Sequence, residues 1–142
     1  VLGALALLAA FQAQTPPPVP PLADWEGLPL LSSIRVNGMV PEDTLAITEI
    51  IDEQPVCRSI VGPMPAPRGE PNIRVVGFYL EVIALVRSDG RYAGIVTAPG
   101  PCDPVRAYAR ALVNGRFTAV AGPLEGPHPA WYRVRLNFSW QQ

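Results

Sequence analysis

The sequence predicts an α+β fold: a small antiparallel sheet in ββαβ order packed against one helix, preceded by a segment of mixed helix and strand character. Three observations predict it. Residues 74–86 alternate in polarity and end at an Asp-Gly pair, residues 103–113 carry a helical apolar stripe, and residues 132–140 alternate again. With 142 residues, 49% of them hydrophobic, the chain has the length and apolar content for one domain with a sizeable core.

The elements follow in order. Val1 to Phe11 is an uninterrupted apolar stretch followed by Gln12-Ala13-Gln14, the pattern of a signal-peptide hydrophobic region and its cleavage zone. Eleven such residues fall short of the roughly 20 that span a bilayer. Residues 1–13 are therefore expected to be a signal peptide or a truncated membrane anchor, with export as the simplest reading. Residues 14–23, QTPPPVPPLA, read as a proline-rich linker of polyproline conformation, reaching roughly 30 Å at about 3.1 Å per residue. Eighteen prolines and twelve glycines cluster between apolar runs without a collagen-like period.

Residues 24–72 form an N-terminal extension expected to pack on the domain that follows. Asn37-Gly38 marks a turn, and Pro41-Glu42-Asp43-Thr44 resembles a helix first turn with acids facing the positive end of the dipole. A helix over 41–53 is expected, with a strand over Thr44 to Ile51 as the alternative. Val56 to Val61 is read as a short strand carrying Cys57, and Gly62 to Pro71 as a loop.

From Ile73 the pattern sharpens. Val76, Phe78, Leu80, Val82, Ala84 and Val86 fall on one face of a long strand. Asp89-Gly90 suits a two-residue type I′ turn, which would set Val86 opposite Ala93, Ala84 opposite Ile95 and Val82 opposite Thr97. Asp103 is the expected N-cap and Pro104 the first residue of a helix. Its stripe is Val105, Tyr108, Ala109 and Leu112, with Arg106 and Arg110 pointing away and Asn114-Gly115 as the stop. Tyr132, Val134, Leu136, Phe138 and Trp140 then alternate with Arg133, Arg135, Asn137 and Ser139 along a closing strand.

The charge and residue inventory narrows function. Eleven basic and twelve acidic residues give a net charge of -1, so nucleic acid is not an expected partner. Cys57 and Cys102 are the only cysteines, and an even pair in an oxidising compartment is expected to form a disulfide, with two buried free thiols as the alternative. His128 is the only histidine and lies in a proline-rich turn, read as a surface position. Glu42, Asp43, Glu49, Asp52 and Glu53 read as a solvated helix face. No G-x-S-x-G, H-E-x-x-H or phosphate-binding glycine loop is present, so neither enzyme activity nor a cofactor or metal is expected.

The strand VVGFYLEVIALV before Asp89-Gly90-Arg91, the helix from Asp103 to Val113, Arg116-Phe117, the glycine-proline turn and the closing VRLNFSW together resemble the C-terminal domain of TonB-family proteins. The likeness covers residues 73–142, about half the chain. It implies a periplasmic domain that grips an extended peptide or partner strand, such as a segment of an outer-membrane receptor in energy-coupled transport. The last strand would be the receiving edge, with Arg133, Arg135 and Asn137 as the partner-binding side chains. Two alternatives stand beside this: the three side chains are ordinary solvated positions, or the protein is a stand-alone secreted structural domain without a transducer role.

Overall fold

Two long alternating runs of sequence pair with each other along their whole length, and everything else is arranged around that pair. The computed structural model describes residues 16–116 and 126–142. After a 3-10 helix at Leu22–Gly27 come β1 (Leu30–Val36), α1 (Pro41–Glu53), the one-turn α2 (Pro55–Arg58), β2 (Gly62–Met64), β3 (Val75–Val86), β4 (Tyr92–Thr97), α3 (Asp103–Arg116) and β5 (Ala130–Gln141). The fold is mixed α+β. β3 and β5 are antiparallel partners from Val75↔Gln141 to Val86↔Ala130.

The sheet is mixed rather than wholly antiparallel as expected, because β1 runs parallel to β5, pairing Ile34 with Leu136 and Val36 with Phe138. The order is β1-β5-β3-β2, and β4 shares with β2 the outer side of β3. β2 takes Val75 to Gly77, and β4 takes Val82 to Val86. Residues 24–72 thus supply two strands of the sheet itself.

Period-two alternation puts the even-numbered residues of β3 and β5 on one face. There Phe78, Val82, Val134, Leu136 and Phe138 meet Ile34 and Val36 of β1, Ile47 and Ile51 of α1, and Val105, Ala109, Leu112 and Val113 of α3. The Phe78 and Phe138 rings stack with centroids 4.9 Å apart. The α3 stripe is the expected one extended by Val113, and its Tyr108 hydroxyl donates to Asp43 of α1, joining the two helices. Gly77 has no room for a side chain: a Cβ there would lie 1.9 Å from the Phe138 carbonyl oxygen. Glycine at this position is what lets β3 and β5 close on each other.

Cys57 and Cys102 are joined in a disulfide across 45 residues and are 0% and 2% exposed, inside the same core. The bond ties α2 to the entrance of α3. Cys57 lies on a helical turn, not on the expected strand at 56–61, since Pro55 at the first helical position presets the turn. The strand falls later, at Gly62–Met64, inside the expected loop.

Three local expectations are corrected. The β3–β4 hairpin closes through Ser88-Asp89-Gly90 rather than a type I′ pair: only Gly90 has positive φ, and the Arg87 amide donates to the Arg91 carbonyl at 2.8 Å. This extra residue makes a bulge, so Val86 faces Tyr92 and not Ala93, whereas Ala84–Ile95 and Val82–Thr97 pair as expected. Asp103 lies within the first turn of α3, whose first backbone bond runs from the Arg106 amide to the Cys102 carbonyl, 3.2 Å. At its other end α3 continues through Asn114-Gly115 to Arg116.

The face opposite the helices has its own cover. Ile83 and Leu85 are buried there, and Trp131 stands beside Leu85 in the β3–β5 register. The Trp131 indole N–H donates to the Pro17 carbonyl at 3.2 Å, and that of Trp25, 3% exposed, to the Pro20 carbonyl at 3.0 Å. Within the expected linker at 14–23, the described residues touch the sheet at one point, the Pro17 carbonyl on Trp131, and remain mostly exposed elsewhere. The expected signal or anchor at 1–13 and Phe117 of the family likeness lie outside the described residues.

Candidate functional site

Arg133, Arg135 and Asn137 sit at odd positions of β5, on the face away from the helices as the alternation requires. Their strand is not an edge. β1 lies along the side of β5 that β3 leaves open, and the Arg133 amide donates to the Pro29 carbonyl at 2.9 Å. The expectation that the last strand receives a partner is therefore corrected: its backbone groups are used by β1. The side chains are also engaged. Arg133 Nη1 lies 3.2 Å and Arg135 Nη2 3.9 Å from Glu81 Oε1, the residue across the ladder from Arg135. Asn137 faces Tyr79, which is 60% exposed, and its Oδ1 is buried without a hydrogen bond. Tyr79, Glu81, Arg133, Arg135 and Glu26 border an open depression of about 550 Å³. With Glu26 and Glu81 set against Arg133 and Arg135, the depression carries no net formal charge and is suited to rim contacts more than to capture of a charged ligand.

A free edge with a lined groove lies elsewhere, on β4. The Ala98 amide donates to the Glu81 carbonyl at 2.9 Å, which fixes the phase of the ladder: Ile83↔Val96 and Leu85↔Gly94 exchange hydrogen bonds. Ile95 and Thr97, lying between, direct their N–H and C=O groups away from β3. Among the described residues no further strand pairs with β4. Along this edge run two adjoining cavities of about 360 and 440 Å³, which share Ile95 and Arg110. Their far wall is α3, through Asp103, Arg106, Arg110 and Asn114, with the Asp103 carboxylate in the cavity next to Thr97, and their near wall is β4, from Tyr92 to Thr97.

The polar groups of this groove are incompletely used. Arg110 Nη1 donates to Thr97 Oγ1 at 3.2 Å and, among the described residues, has no carboxylate within ion-pair distance. Arg106 pairs with Asp103, but its Nε is buried without a partner, as is the Tyr92 hydroxyl. Burial raises the Tyr92 pKa above its ordinary 10.0. Sequence reasoning marked Arg106 and Arg110 as pointing away from the helical stripe. It missed that they point over a strand edge, because the place of β4 in the sheet is a long-range property.

His128 is more constrained than a surface turn suggests: Nδ1 lies 2.9 Å from the Gly126 carbonyl and Nε2 2.8 Å from the Tyr132 hydroxyl, with the two rings stacked. Among the described residues no group of three His, Cys, Asp or Glu side chains is placed to hold a metal ion, and no helix is long and apolar enough to cross a membrane. No family model, characterised protein or solved structure matches the chain. The geometry of its surface is what remains to read.

Proposed function

We propose that this chain is an exported, TonB-like interaction domain that binds an extended peptide of a partner protein by strand addition, with β4 as the receiving edge. The observation that carries the reading is a β4 edge with no partner strand among the described residues, backed by a groove against α3. Backbone N–H and C=O groups at Ile95 and Thr97 offer hydrogen bonds of the ladder type, and the α3 wall gives alternate side chains of the guest somewhere to sit. The expected edge on β5 cannot serve, since β1 fills it. The Arg133, Arg135 and Asn137 face would then contact only a partner that extends around the sheet. The disulfide supports export, because such bonds persist in oxidising compartments.

Amide hydrogen exchange tests the reading directly. In the free protein the outward amides of Ile95 and Thr97 should exchange faster than the inward amides of Gly94 and Val96. Saturation with an extended peptide that binds should protect Ile95 and Thr97 and leave β1 unchanged. Protection confined to β1, or none in either strand, would count against strand addition at β4.

A further inference from the structure

We infer that the groove between β4 and α3 selects acidic peptides, with carboxylates at every second position of the bound strand. The inference rests on the strand-addition reading and names the chemistry of its guest. A strand added to β4 would form hydrogen-bonded pairs with Ile95 and Thr97, and in such a pair the two side chains project to the same face of the sheet. That face is the one carrying α3, since Ile95 and Thr97 pair with Ala84 and Val82, of which Val82 lies in the helix-side core. Guest residues opposite Ile95 and Thr97 therefore meet the α3 wall. Arg110 borders both cavities at this point, and Arg106 borders the one next to Thr97.

Charge complementarity decides what those guest residues are. Arg110 lacks a carboxylate among the described residues, and Arg106 holds Asp103 while leaving Nε buried and unbonded. A carboxylate brought opposite Ile95 meets Arg110, and one opposite Thr97 reaches between Arg106 and Arg110. A cationic guest would set like charges against each other in a partly desolvated groove. The guest residue between them lies opposite Val96 and faces the other side of the sheet, away from both arginines, so its charge is not selected by them. The motif expected is acid-any-acid in extended conformation.

The test uses the full chain and two capped peptides, acetyl-Val-Glu-Val-Glu-Val-Thr-amide and its counterpart with glutamine for both glutamates, titrated while amide shifts and exchange are followed. The acidic peptide should bind on the order of tenfold more tightly at low salt, with the preference shrinking as salt rises. Arg110→Gln should abolish most of that preference, and Arg110→Lys should restore part of it. Arg110 is solvent-exposed, so both variants are expected to keep the wild-type fold. If both peptides protect Ile95 and Thr97 with equal affinity, acidic selection is overturned while strand addition stands. Should neither protect them, the strand-addition reading itself falls. Concentration-dependent self-association that protects the same amides would assign the groove to a second copy of the chain and overturn the inference.

Discussion

Single residues in this protein show how burial without a partner becomes a measurable property. The Tyr92 hydroxyl is buried and unbonded, and burial disfavours its charged form, so the folded state keeps the phenolic proton to higher pH than the unfolded state. The sign follows from linkage: the contribution of Tyr92 is fully present below pH 10.0 and is lost as pH rises through the raised folded pKa. Tyr92→Phe should therefore flatten the fall in stability above about pH 10. At neutral pH it should leave stability unchanged or slightly raised, since it removes a hydroxyl that has no protein partner. Urea midpoints measured at neutral and alkaline pH check both halves. A variant markedly weaker than wild type at pH 7 would mean the hydroxyl has a partner after all.

At the level of elements, the disulfide decides how the short α2 is held. A four-residue helix has no independent stability, and Cys57 fixes it to Cys102 at the mouth of α3. Closing 45 residues stabilises the fold by about 4 kcal/mol in the chain-entropy model. The double variant Cys57→Ala with Cys102→Ala should lose most of that in urea titrations. Because both sulfurs are buried in the core, a mild reductant should act slowly on the folded protein and rapidly once denaturant is added. Two thiols freely alkylated in native, exported protein would contradict the pairing. The hairpin element shows a finer point: Gly90 supplies the one positive φ that the loop needs, and the added residue shifts Val86 to Tyr92 without disturbing the pairs further along.

The whole molecule is knit across the boundary that its sequence pattern draws at residue 73. β1 and α1 supply Ile34, Val36, Ile47 and Ile51 to the core beneath β3 and β5, and β1 occupies the open side of β5. A fragment of residues 73–142 would leave Val134, Leu136 and Phe138 without those partners and turn β5 into an open edge. It is expected to show poorly dispersed amide spectra or to aggregate, whereas the chain from residue 16 onward should give dispersed spectra. Clean folding of the short fragment would show that the core needs neither β1 nor α1. The proline-rich stretch belongs to the same scale, since the Trp131 indole holds its Pro17 carbonyl across 114 residues of sequence.

The sequence by itself determined the local features whose signals are local. Alternation fixed the faces of β3 and β5, the Pro41 turn fixed the start of α1, and the apolar stripe fixed the inward side of α3. The Ala84–Ile95 and Val82–Thr97 pairs agree with the expected register because a bulge next to Val86 offsets the one extra residue of the loop. Tertiary structure alone decided which strands are edges. Backbone hydrogen bonds carry no sequence signature, so nothing in LLSSIRV announced a parallel partner for β5, and nothing in YAGIVT announced an outer side with no partner strand among the described residues. Alternation placed Arg133, Arg135 and Asn137 on the face away from the helices, where they lie. What alternation could not show is that β1 takes up the hydrogen bonds on the open side of their strand.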